Sequence, residues 1–218
     1  MVELKGDECR VLGVLIEKAQ TVPGQYPITL NGLTTGCNQK NNRFPVVDWD
    51  EERVLDALDG LRAKKVASEV IMTGSRVAKF KHNSREVLGV DTSQLVILAE
   101  LMLRGPQSLG ELRQNASRMH PIESLEACKT IVDSLMTPAA APRDAAMVKE
   151  MPPPPGGRAR VYVQLLCPDL HPVGAVSAHE PSAATHSEPA RAGLESRVAA
   201  LEAEVERLKQ QLAALSGR

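Results

Sequence analysis

Hydrophobic positions along this 218-residue chain fall into two successions that follow one plan. In the first, Val11, Leu12, Val14, Leu15 and Ile16 crowd into a helix that must stop before Pro23. A second helix opens at Thr29, placed as its N-cap, and carries Leu30, Leu33, Thr34 and Cys37. A third repeats Val54, Leu55, Leu58 and Leu61 at helical spacing, with Asp48 as N-cap and Glu51 completing a capping box. Glu51 and Glu52 in its first turn, and Arg62, Lys64 and Lys65 in its last, suit the helix dipole. The period then shortens to that of a strand. Val66, Ser68 and Val70 alternate with Ala67, Glu69 and Ile71 as far as Gly74-Ser75, and Arg76 to Lys81 alternates again, which predicts a β-hairpin.

The second succession repeats the order. Leu95 to Leu103 is an apolar helix stopped by Arg104-Gly105-Pro106, and Ser108 with Glu111 forms a capping box for a helix carrying Leu109, Leu112 and Ala116. Pro121 and Ser124 introduce a third helix with Leu125, Cys128, Ile131, Val132 and Leu135. Met147 to Glu150 and Arg160 to Leu165 read as strands on either side of the stiff run Pro152 to Gly157. Three helices followed by a hairpin is the order of elements in a winged helix. The expected fold is therefore α+β, mostly α, with winged-helix domains at residues 1–86 and 91–167.

Residues 168–193 contain Pro168, Pro172, Pro181 and Pro189 among Ala, Ser, His and Glu with no apolar period. This composition buries too little to offset its ordering entropy and reads as a flexible linker. His171, His179 and His186 fall inside it and are attributed to composition, because imidazoles on a loose tether lack the supporting groups that orient metal ligands. Leu194, Val198, Leu201, Val205, Leu208, Leu212 and Leu215 then recur at alternating spacings of four and three. That heptad seam predicts a coiled coil over residues 194–216, and β-branched residues at a with Leu at d favour a parallel pair. A homodimer is the expected assembly, with a single helix docked on its own domain ranked second.

The stretch from Pro23 to Pro45, P-G-Q-Y-P-I-T-L-N-G-L-T-T-G-C-N-Q-K-N-N-R-F-P, is similar to the signature of the YceH-like bacterial family of uncharacterised function. So are Glu8 to Lys18, Gly74 to Phe80, Leu103 to Arg113 and the C-terminal heptads. The resemblance implies a tandem winged-helix protein that forms dimers, and brings no established activity. The Pro152 to Gly157 run and the long linker depart from the family's usual pattern.

Charge narrows the function classes. Lys plus Arg number 26 against 27 Asp plus Glu, a net charge of -1, so no long-range basic field is available to hold a polyanion. Trp49, Tyr26, Tyr162, Phe44 and Phe80 are the only aromatic residues besides histidine, which disfavours binding by stacking on aromatic platforms. The start MVELKGDE lacks a basic and apolar leader, and the expected location is cytoplasmic. Cys9, Cys37, Cys128 and Cys167 show no C-x-x-C spacing and read as reduced, mostly buried thiols. No hydrolase, zinc-protease or phosphate-loop motif is present; the expectation is a non-enzyme without metal or cofactor, Cys37 being the one mild nucleophile candidate.

Local charge leaves two readings open. Arg76, Lys79 and Lys81 on the first wing, Arg158 and Arg160 on the second, and Lys40 and Arg43 in the connection after the second helix are candidate phosphate contacts for a dimeric DNA-associated regulator. The competing account of the wing lysines is an edge protected by charge. The helix starts argue against major-groove reading, because Asp50, Glu51 and Glu52, and in the second half Glu123 and Glu126, would meet phosphate with like charge. The alternative is a protein-protein interaction scaffold that uses the winged-helix surfaces without DNA.

Overall fold

The computed structural model describes residues 2–71, 74, 77–139, 141–167 and 170–171. Arg76, His179, His186 and the whole predicted coiled-coil seam lie outside the described residues.

The chain is α+β and mostly helical among the described residues. The first repeat runs α1 (Gly6–Thr21), β1 (Ile28–Thr29), α2 (Leu30–Cys37), α3 (Glu51–Ala63), β2 (Ala67–Ile71) and β3 (Ala78–His82). After the single-turn-scale α4 (Ser84–Leu88), the second runs α5 (Thr92–Arg104), β4 (Gln107–Ser108), α6 (Leu109–Ala116), α7 (Leu125–Met136), β5 (Val148–Met151) and β6 (Val161–Gln164). Each repeat closes a three-stranded antiparallel sheet of the same topology, β1-β3-β2 and β4-β6-β5, with the last strand in the middle.

The helix starts are set by side-chain caps. Thr29 accepts from the Gly32 amide and Ser124 from that of Ala127, while Ser108 with Glu111 and Asp91 with Gln94 form complete capping boxes. The third helix begins later than its sequence predicts. Asp50, not Asp48, is its N-cap and accepts from the Arg53 amide at 2.9 Å. The reason lies in Trp49, whose amide donates to Asn38 Oδ1 at 2.8 Å and whose carbonyl accepts from Asn38 Nδ2 at 2.7 Å. Both backbone groups of Trp49 are thus bound across the connection, and the helix can start only after it.

The core is continuous across the repeats. In α1 every residue from Glu8 to Ile16 is buried, and in α5 every residue from Leu95 to Leu103. A helix buried on all sides belongs at the centre of a fold, and these two pack against each other. Gly13 permits the approach: a Cβ there would lie 2.9 Å from Cγ and Cδ2 of Leu103. The chain also closes end to end, because the Leu4 amide donates to the Leu166 carbonyl at 2.8 Å.

Candidate nucleic-acid interface

Strand β3 separates its side chains by alternation. Phe80 points inward and is 3 % exposed, while Lys79 and Lys81 take the opposite face. Lys79 lies in register with Thr29 of β1 and Val70 of β2, and Lys81 with Ser68, so these five residues share the outward face of the first sheet. Neither lysine has an ion-pair partner among the described residues. At the open end of the hairpin Ile71 and Val77 are 69 % and 56 % exposed.

The cations of α3 are in the opposite situation. Arg53 clamps Asp7 with two hydrogen bonds of 2.7 and 3.0 Å and lies 4.7 Å above the Trp49 ring. Arg62 pairs with Asp59 and Glu69, and Lys64 with Glu8. Beside these paired cations, α3 exposes Glu51, Glu52, Leu55, Asp56 and Asp59. On α7 the exposed Lys129 is paired with Asp133. Neither helix offers an uncommitted cation to a groove.

The connection between α2 and α3 turns out to be largely internal. Arg43, expected at a phosphate, is withdrawn from solvent with a side-chain exposure of 0 %. Its Nη1 and Nη2 grip Glu17 of α1 at 3.1 and 2.6 Å, its Nε donates to the Gly36 carbonyl, and Nη1 also reaches the Asn42 carbonyl. Burial pushes the Glu17 carboxyl up, but the Arg43 guanidinium outweighs it and holds the group below the usual carboxylate range. Beside this pair Arg10 is also buried, donating from Nη2 to the Pro45 carbonyl at 2.6 Å. Burial first, and the neighbouring Arg43 second, lower it to about 10. The Phe44 amide donates to the Leu103 carbonyl, so the same loop clasps the end of α5. Its motif is thus occupied in joining the repeats, and a cation that pairs internally cannot be told from a free one by sequence. Lys40 remains exposed.

The second hairpin is less basic than its sequence suggests. Arg160 Nη1 donates to Glu150 at 2.8 Å, and the same carboxylate accepts from the Tyr162 hydroxyl at 3.2 Å. Arg158 stays exposed near the turn closed by the Gly157 amide on the Pro154 carbonyl.

His171 is a further correction. Composition assigns it to the linker, yet it is buried, with Nε2 2.6 Å from the Phe44 carbonyl and its ring stacked on Phe44 at 5.9 Å and 14°. One contact of this kind leaves no periodic trace in a sequence. All four cysteines are buried and none forms a disulfide. Burial pushes the Cys37 thiol up to about 12 and that of Cys128 to about 11, which keeps these two protonated at neutral pH. Among the described residues no cluster of His, Cys, Asp and Glu is arranged to hold a metal, and no helix is long and apolar enough to cross a membrane.

Comparison with known proteins places this architecture. The profile of the family described as "Protein of unknown function, DUF480" matches residues 4–157. A UPF0502 protein of Geobacter sulfurreducens is 44% identical over 201 residues, covering 91% of this chain and 86% of the relative. One from Burkholderia pseudomallei strain 668 is 43% identical over 180 residues, covering 82% and 74%. A third, from Burkholderia multivorans, is 38% identical over 214 residues, covering 98% and 85%.

Proposed function

Since the chain belongs to the DUF480 family of unknown function, its role has to be argued from its own geometry, and we propose that it is a non-enzymatic tandem winged-helix protein that contacts DNA through phosphates. In this reading two winged-helix units, at 1–86 and 91–167, are followed by a linker and a C-terminal coiled coil that pairs two chains. The repeated order of elements and the identical sheet topology support the winged-helix assignment. The sealed Cys37, with its thiol pushed up to about 12, supports a non-enzyme.

One observation carries the DNA reading. Among the described residues Lys79 and Lys81 have no ion pair on the outward face of the first hairpin, whereas Arg53 and Arg62 of α3 are each engaged in ion pairs at the surface. Two residues of strand rise put the lysines roughly 7 Å apart, a spacing that lets each reach a phosphate of its own. Contact of this type fixes a protein on a duplex without reading its sequence. Arg76, Lys40, Arg158 and, through its weaker exposed pair, Arg160 would add to the same field.

Titration of labelled duplex DNA at several salt concentrations tests the proposal. Wild type is expected to bind with an affinity that falls steeply with salt, and Lys79→Ala with Lys81→Ala to lower the slope of log K against log salt by about two, near 0.9 per phosphate. Superimposable curves would remove the wing from the mechanism.

A second reading has its own support. The outward face of α3, with Glu51, Glu52 and Asp56 around the half-exposed Leu55, suits a protein surface carrying basic residues and repels DNA. Absence of DNA retention even at low salt would favour this scaffold. The dimer is tested separately: deleting residues 190–218 is expected to halve the mass in solution measured by light scattering, and an unchanged mass would sink the coiled-coil pairing.

A further inference from the structure

Two of the four buried cysteines meet across the join between the repeats. Cys9 lies in α1 of the first, and Cys167 follows the last strand of the second. The backbone brings the two segments together. The Leu4 amide donates to the Leu166 carbonyl at 2.8 Å, and a Cβ on Gly6 would lie 3.8 Å from Cδ1 of Leu170, so the chain leaving β6 passes along the start of α1. Cys167 is fixed there by Gln164, whose Oε1 accepts from its amide and whose Nε2 donates to its carbonyl. The thiols of Cys9 and Cys167 then hydrogen-bond to each other, one S–H donating to the other sulfur. Cys128 instead donates to the Leu109 carbonyl, and Cys37 faces charged side chains rather than a second thiol.

In the closed fold this pair is inert. Cys9 and Cys167 are 0 % and 1 % exposed, so no oxidant reaches either sulfur. Burial first, and the contact with Cys167 second, push the Cys9 thiol well above its ordinary value, which leaves no thiolate to react. Chemistry therefore belongs to a state in which the segment after β6 has come away. Short segments at the edge of a fold open at a lower cost than the global unfolding of the core. Opening here carries Cys167 into solvent and uncovers Cys9 on a helix that stays in place.

We propose that Cys9 and Cys167 form a redox site, a dithiol that a low-molecular-weight disulfide converts into an intramolecular disulfide when the segment after β6 opens. The Cys167 thiolate attacks one sulfur of the small disulfide, forming a mixed disulfide and releasing one small thiolate. As the segment returns, the Cys9 thiolate attacks Cys167 Sγ and expels the second. The two cysteines lose two protons and two electrons, and the small disulfide is reduced to two thiols that take up those protons. The new bond ties α1 to the end of the second sheet and blocks the opening that admitted the oxidant. The site is independent of the wing lysines and stands whether or not the chain holds DNA.

Incubation of the full chain with oxidised glutathione, followed by alkylation, digestion and mass spectrometry without reductant, tests the assignment. A Cys9–Cys167 cross-linked peptide is expected as the dominant product, with Cys37 and Cys128 recovered as thiols. Its rate is expected to rise in dilute urea below the unfolding transition, because opening is the gate. The oxidised chain is expected to melt roughly 5 to 10 °C higher than the reduced one, since the bond closes a long loop. Cys167→Ser is expected to form no internal disulfide and to show a melt that the oxidant does not raise. Should that variant not fold, the wild-type peptide map and melts decide alone. Four thiols left intact, glutathione adducts without an internal bond, cross-links to Cys37 or Cys128 at equal yield, or an oxidised chain that melts no higher than the reduced one overturns the proposal.

Discussion

Replacing Arg43 with alanine is expected to destabilise the protein by about 3 to 5 kcal/mol, the cost of removing one partner from a buried ion pair. The side chain is sealed at 0 % exposure and the Glu17 carboxylate is mostly covered, so truncation leaves a charge that water reaches poorly and that only Lys18, 3.2 Å away, still pairs with. It also strips donors from the Gly36 and Asn42 carbonyls. Changing both partners together, Arg43→Met with Glu17→Leu, is expected to recover most of the loss, because an apolar pair of similar volume avoids the desolvation cost. Urea unfolding of the two singles and the double measures this directly. A loss below about 1 kcal/mol for Arg43→Ala would place the pair in the range of solvated surface bridges and reopen Arg43 as a ligand contact.

Acid is expected to weaken the fold through a histidine on β3. Burial first, and the nearby Arg85 second, lower His82 from 6.5 to about 4. Its Nδ1 faces the Ser84 amide, a donor that suits only the neutral ring, and its backbone amide donates to the Tyr26 hydroxyl at 2.6 Å. The unfolded chain takes up a proton near pH 6.5 and the folded chain only near 4, so stability is lost as pH falls between these values. The difference corresponds to about 3 kcal/mol. His171, lowered chiefly by burial, acts in the same direction, as does the depressed Glu17 at lower pH. Glu100, raised mainly by burial, acts in the opposite one. His82→Gln is expected to flatten the acid limb of a plot of melting temperature against pH from 7 to 4. Parallel limbs for variant and wild type would show that His82 is protonated in the folded state at far higher pH.

The parts of the fold that were legible in the sequence are those in which one residue type has one physical use. Thr29, Ser108 and Ser124 read as caps because a short side-chain oxygen ahead of an apolar helix has backbone amides to satisfy, and all three accept from those amides. The alternation from Arg76 to Lys81 read as a strand for the same kind of reason, and in that strand Phe80 is buried while Lys79 and Lys81 take the other face. Charged residues have two uses, and the sequence does not choose between them. Arg43 and Lys40 are three positions apart in one polar run, yet the first is buried against Glu17 and the second is exposed. Arg10 was passed over altogether, since nothing in its neighbours signals that Pro45, 35 residues on, supplies its carbonyl. The misplacement of the third helix start by two residues has the same origin, because Asn38 binds Trp49 through a contact of tertiary structure.

The meeting of α1 and α5 at Gly13 has a consequence for how the two repeats can be taken apart. Each repeat contributes its most apolar helix to the seam with the other, and each therefore lacks a lid of its own. A chain ending near residue 86 would carry α1 with the flank that Leu103 covers laid bare, and the strip of Leu4 that meets Leu166 would lose its backbone partner as well. The two halves are alike in outline, yet each leans on the other for the cover of its central helix. A substitution that loosens either helix at this seam is therefore expected to lower the stability of both halves together.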